Sequence, residues 1–142
     1  MQEPEAQSLP YWKTSRAAPE TWVHKACVEI ERAGGVIETC LPSAYQNGRQ
    51  AHVVQFTLDN QSFRLMWPVL EHEDTASASR QAATMLYHDV KSRCLAARVF
   101  GARWAFQAEL VLPDGRTAGQ LSTPELVKAL PPVALLTMEK RQ

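Results

Sequence analysis

Cysteine is scarce: Cys27, Cys40 and Cys94 are the only ones in 142 residues, widely spaced and odd in number. That excludes a disulfide scaffold, leaves at least one thiol free and fits a reducing compartment. No Cys-x-x-Cys occurs, and the four histidines (His24, His52, His72, His88) stand singly, so zinc-site spacing is missing. No apolar run approaches the roughly 18 residues that span a bilayer. The first ten residues carry Glu3 and Glu5 where a leader would be basic and then apolar, so a soluble, cytoplasmic protein without membrane contact is expected. Net charge is lacking too. Fifteen Lys and Arg balance fifteen Asp and Glu, which excludes a strongly basic, non-specific polyanion binder. Nucleophile-elbow, P-loop, Gly-x-Gly-x-x-Gly and His-Glu-x-x-His patterns are absent, so an enzyme is disfavoured and neither metal nor cofactor is expected.

What is present is globular. Hydrophobic residues make up 45% and charged residues 21%, enough for one domain that buries roughly two-thirds of its unfolded surface. Residues 1–18, with Pro4, Pro10 and a Tyr11-Trp12 pair followed by Lys13 and Arg16, read as a flexible arm whose aromatics dock on the protein's own core. Residues 19–130 form the domain and residues 131–142 a tail without clear period. Pro19 and Glu20 open a helix in which Trp22, Val23, Ala26, Cys27, Ile30 and Ala33 share one side, and Gly34-Gly35 stops it. Cys27 is expected in the core. Val36–Leu41 reads as a strand ending at Pro42, Ser43–Gln50 as a loop, and Ala51–Leu58 as a half-buried strand with His52, Val54, Phe56 and Leu58 on one face. Asp59-Asn60 turns into Ser62–Trp67, with Phe63, Leu65 and Trp67 inward. A helix from about Ala76 to Phe100 ends at Gly101, and the acids Glu71, Glu73 and Asp74 before it suit its positive end better than a metal. Trp104–Leu112 alternates like a strand, and Ser122, Pro124 and Glu125 start a short helix. The order is α-β-β-β-α-β plus a short C-terminal helix: an α+β fold, mainly antiparallel, with helices on one face.

The long helix carries the functional signal. Arg80, Thr84, Tyr87, Lys91 and Arg98 fall in one stripe, and Arg103 and Arg116 follow. Basic residues at one-turn intervals suit a phosphate backbone, and a Tyr among them can stack a base. The charge split agrees, since residues 1–75 hold six basic and ten acidic residues and residues 76–142 nine and five. A solvated helix face is the alternative. The remaining arc (Ala78, Ala82, Ala83, Met85, Leu86, Val90, Cys94, Ala96, Ala97, Phe100) is apolar and holds Asp89 and Arg93, an i,i+4 pair. That pair is either a local bridge at the core edge or an inter-subunit or loop-anchoring contact.

The element order resembles the restriction-endonuclease-like core. That family's metal site would need a carboxylate near the second strand and Asp/Glu-x-Lys on the third; here Asp59 lies in the turn and the third strand reads Ser62-Phe63-Arg64-Leu65-Met66-Trp67. The β-β-β-α portion is similar to single-strand annealing proteins and to double-stranded-RNA-binding domains, the latter with a Lys cluster where this chain has Arg80. These are analogies of order over residues 19–112, without a motif, and identify no family. The expectation is a non-enzymatic domain that contacts DNA or RNA through Arg80, Tyr87, Lys91, Arg98, Arg103 and Arg116. The alternative is a protein-interaction or assembly subunit, meeting a partner or a second copy of itself.

Overall fold

Helix α1 (Pro19–Arg32) starts where Pro19 presets φ, and it buries Val23, Ala26, Cys27 and Ile30 along one side. In the computed structural model, which describes residues 3–46 and 48–121, the helix gives way to the sheet at Gly34-Gly35. A β-carbon on Gly35 would stand 2.6 Å from Ile30 Cγ2 and 3.2 Å from the Thr57 carbonyl oxygen, so this close approach of helix and sheet requires glycine.

Strands β1 (Val36–Gln46), β2 (Arg49–Leu58) and β3 (Gln61–Pro68) form an antiparallel sheet in the order β1-β2-β3. Asp59 (φ 51°) and Asn60 (φ 62°) supply the two positive-φ positions of the β2–β3 hairpin turn. The loop expected over Ser43–Gln50 is largely strand instead. β1 is an edge, where the missing N–H of Pro42 is tolerated, and an irregularity between Leu41 and Ala44 absorbs the extra residues, with Ser43 at φ 59°. His52 braces this bulge. Its Nδ1 accepts from the Ser43 amide (3.0 Å), which leaves Nε2 to donate to the Ser79 carbonyl (2.9 Å), so the buried ring is neutral with the proton on Nε2.

Burial lowers the His52 pKa from its ordinary 6.5, with the Ser79 bond opposing the shift. As pH falls through 6.5, the unfolded chain takes up a proton that the folded chain refuses. The stability is therefore complete above that pH and declines below it, until the folded ring itself titrates. The urea midpoint is expected to drop between about pH 7 and pH 5, and less steeply in His52→Gln. Identical pH slopes in the two proteins would remove His52 as the cause.

Helix α2 (Thr75–Phe100) is capped by Asp74, whose carboxylate accepts from the Ser77 amide (3.0 Å) and hydroxyl (2.8 Å). Those bonds, the amide's first, hold the Asp74 pKa at about 2. Ala83, Leu86, Val90 and Cys94 of α2 and the buried side of α1 cover one sheet face, against Val54, Phe56, Leu58, Phe63 and Leu65. The outer face, with Val53, Gln55, Thr57, Arg64 and Met66, meets neither helix. Among the described residues no helix is long and apolar enough to cross a membrane.

The strand expected over Trp104–Leu112 does not form. Gly101 (φ 96°) ends α2, and Asp59 Oδ2 accepts from the Ala102 amide (2.9 Å), starting the single-turn helix α3 (Ala102–Ala105). A 3-10 turn follows at Gln107–Glu109, and then Leu110 bridges Phe63 and Val111 bridges Thr117. Helical spacing turns Trp104 outward while Phe106 enters the core, so the period-two alternation of the sequence misled. Among the described residues no strand follows α2, so the analogy to the endonuclease core loses its last element. The short helix expected from Ser122 lies outside the described residues.

Residues 3–18 run against α2. Ala6 is fully buried, and the buried Gln81 side chain donates from Nε2 to the carbonyls of Ala6 (2.7 Å) and Pro10 (3.0 Å). Trp12 packs on Val69, Ala78 and Ala82, and Tyr11 stacks on His88 with centroids 5.0 Å apart.

Candidate functional site

The stripe residues lie on one side of α2, and most of them already make contacts within the chain. Arg80 is half-buried and donates to the Ser77 hydroxyl (3.2 Å) at the N-cap, while Thr84, buried, turns its hydroxyl back to the Arg80 carbonyl (2.7 Å). Tyr87 is half-buried against Trp22 of α1, with Lys25 and Lys91 ammonium groups each 6.0 Å from its ring. Its ring faces are thus occupied rather than offered. Arg98 reaches across to the Arg32 carbonyl (3.1 Å), where a cation neutralises the negative end of α1. Arg103, beyond Gly101, meets the Gln61 side-chain amide, whose oxygen, once oriented toward it, accepts from Arg103 Nε (3.0 Å). Arg116 lies on a different turn and pairs with Asp114 (2.8 Å). Lys13 of the arm pairs with Asp74 (3.4 Å).

A second feature escaped the sequence. Leu95, Val99, Phe100 and Trp104 are 65%, 70%, 61% and 63% exposed, although the sequence places Phe100 in the apolar arc of the long helix and Trp104 in a strand. Phe100 and Trp104 rings touch, with centroids 4.5 Å apart. At 26 residues α2 extends about 39 Å, and Cys94 is its last fully buried side chain. Past Cys94, Ala97 still packs on the core while Leu95, Val99 and Phe100 lie exposed. Neighbouring large apolar side chains that remain this exposed are uncommon on monomeric surfaces.

A third feature extends the Asp89–Arg93 pair. Asp89 Oδ2 stands 3.0 Å from Arg93 Nε, off the line of its N–H, and the same guanidinium hydrogen-bonds Glu109 Oε1 from the segment after α3. Arg93 also lies 5.6 Å from the Phe106 ring centroid. One cation thus ties α2 to residues 106–109. Asp89 Oδ2 and Glu109 Oε2 are buried and accept no hydrogen bond among the described residues. Asp89, Arg93 and Glu109 line a cleft of about 490 Å³ beside Arg64–Pro68 of β3. Glu109 was hidden by the strand expectation, although apart from Asp114 it is the only acid between Asp89 and Leu121.

The cysteines show a further proximity. Cys27 Sγ, buried on α1, donates to Cys40 Sγ on exposed β1 at 3.6 Å. Burial, then the neighbouring Cys40, pushes the Cys27 thiol up to about 12. Among the described residues no group of three His, Cys, Asp or Glu side chains is placed to hold a metal ion.

These features define a small α+β domain with a three-stranded antiparallel sheet, an apolar corner and a charged cleft. Compared with protein-family models, curated proteins and solved structures, the chain matches none.

Proposed function

We propose that this protein is a non-enzymatic assembly subunit that pairs with a second copy of itself through the α2–α3 corner. The observation that carries the reading is the exposed Leu95/Val99/Phe100/Trp104 patch. Fully burying such a side chain is worth about 1.5–3 kcal/mol, and a helix-end patch is self-complementary about a two-fold axis. Zero formal charge supports it, because two copies meet without net repulsion near neutral pH. The nucleic-acid reading is the weaker proposal. Arg80, Arg98, Arg103 and Arg116 each make a contact within the chain, and Tyr87 is packed between α1 and α2.

Sedimentation equilibrium is expected to give twice the chain mass at high concentration. Phe100→Glu/Trp104→Glu should return a monomer with an unchanged urea midpoint, because both side chains are exposed. A monomer throughout the concentration range overturns the proposal. So does salt-sensitive binding to DNA or RNA that Lys91→Glu/Arg98→Glu abolishes, since it would restore the phosphate-contact reading.

A further inference from the structure

The outer face of the sheet is polar at one end and apolar at the other. Near the Val36–Thr57 pair, Glu38 accepts from the Gln55 side-chain amide (3.2 Å) and from the Thr57 hydroxyl, so that end satisfies its own polar groups. Toward the β1–β2 turn the register sets Val53 between Leu41 and Met66, and Ala51 between Ala44 and Pro68. Alternation along the strands, with the irregularity in β1, brings these side chains to one face. Leu41, Tyr45 and Met66 are exposed there, and with Ala44, Ala51 and Val53 they line a concavity of about 320 Å³. Arg64 is the one charged residue described in that lining, and it donates to the Gly115 carbonyl (2.7 Å).

Gln120 holds the remaining place on the rim. It stands one position before Leu121, which packs on the core and is the last residue described. The chain therefore delivers its next residues at the edge of the concavity. Residues 126–136 supply Leu126, Val127, Leu130, Val133, Leu135 and Leu136 and hold a single charge, Lys128. From β3 to β1 is two strand spacings, about 10 Å. The backbone from Leu121 to Leu126 spans up to about 17 Å, so even the first of these side chains reaches Leu41.

We infer that the chain's own residues 126–136 dock across the outer sheet face and seat aliphatic side chains in the concavity between Leu41 and Met66. A partner must come from solution, whereas the covalent chain presents this segment at an effective concentration of about a millimolar. A second copy fits poorly, because a concave surface laid on its own two-fold mate leaves the space empty. The lining and the segment match in being apolar, and burying them removes Leu41, Tyr45 and Met66 from water. The inference uses no residue of the α2–α3 corner.

Photo-cross-linking of the full chain at low concentration tests it. Met66→benzoylphenylalanine is expected, on irradiation, to cross-link within one chain to residues 126–136, read by mass spectrometry of the digest. Leu126→Asp/Leu130→Asp should lower that yield at least tenfold, and Lys140→Glu should leave it in place. Tyr45→benzoylphenylalanine repeats the test from the other side of the concavity, at an exposed position where the fold tolerates the change. Trypsin should cut at Lys128 at least tenfold faster in Leu41→Glu/Met66→Glu than in the unaltered chain, since cleavage follows the population of the undocked segment. Equal cleavage rates, or no cross-link to residues 126–136 from either position, overturn the proposal. Cross-links between two chains assign the face to a second copy and overturn it as well. The Phe100→Glu/Trp104→Glu variant should keep the cross-link, whether or not the corner self-associates. Its loss there would place the segment on the corner instead and likewise overturn the proposal.

Discussion

Truncating Phe106 to alanine is expected to lower the unfolding free energy by about 3–5 kcal/mol, read from the urea midpoint. The side chain is fully buried, edge-on to Phe56 (centroids 5.1 Å) and beside Phe63 (5.8 Å), so the deletion leaves a void inside a close-packed aromatic cluster. It also removes the ring under Arg93. Trp104→Ala, two residues earlier and measured where the chain is monomeric, should cost no more than about 0.5 kcal/mol. The contrast is diagnostic. In a strand the two residues would share a face and cost alike, whereas a helical turn at Ala102–Ala105 separates them. Equal losses at both positions would refute the helical placement of this segment.

The second large effect is a gain. Oxidation with diamide is expected to join Cys27 to Cys40 and to raise stability by about 3 kcal/mol, the value for a closed loop of about 15 residues. The exposed Cys40 reacts first: its thiolate adds to the diazene, and the Cys27 sulfur then displaces the reduced hydrazine. Two thiols give up two electrons and two protons. The sulfurs stand 3.6 Å apart and must close to a bond of about 2.05 Å, a small movement of a helix side chain against an edge strand. The high pKa of the Cys27 thiol, about 12, makes the second step slow near neutrality and faster in alkali. A loss of two mass units, and a Cys27–Cys40 peptide in a non-reducing digest, identify the product. Oxidation that links Cys94, or that yields only intermolecular dimers, would refute the assignment, and Cys40→Ser should remove the gain.

Much of the fold was readable because local signals agreed with the tertiary structure. Pro19 and Gly34-Gly35 bound α1, the alternation of His52, Val54, Phe56 and Leu58 marks the inner face of β2, and Gly101 ends α2. The failures occur where distant residues overrule the local pattern. Pro42 reads as a stop, yet β1 continues because its edge position and the His52–Ser43 bond accommodate the irregularity. Trp104–Leu112 reads as a strand, yet a carboxylate from the β2–β3 turn, Asp59, caps a helical turn there. The candidate sites show the same divide. Helix periodicity places Arg80, Tyr87, Lys91 and Arg98 on one side of α2, but nothing in that periodicity announces that Trp22 and the Arg32 carbonyl occupy that side. Asp89 and Arg93 were legible as an i,i+4 pair. Glu109, which completes the triad from sixteen residues away, was not.

The bonds from Gln81 to Ala6 and Pro10 span 75 and 71 residues of chain. During synthesis the arm therefore emerges long before its partner exists, and it stays undocked until the first turns of α2 have formed. Docking therefore follows the formation of α2, and the loop it closes adds an entropic cost that grows only slowly with length. The same logic runs backward. The arm opens first, uncovering Val69, Ala78 and Ala82 without disturbing the main core, and the amides of residues 6–12 would exchange with solvent on a faster clock than those of β2.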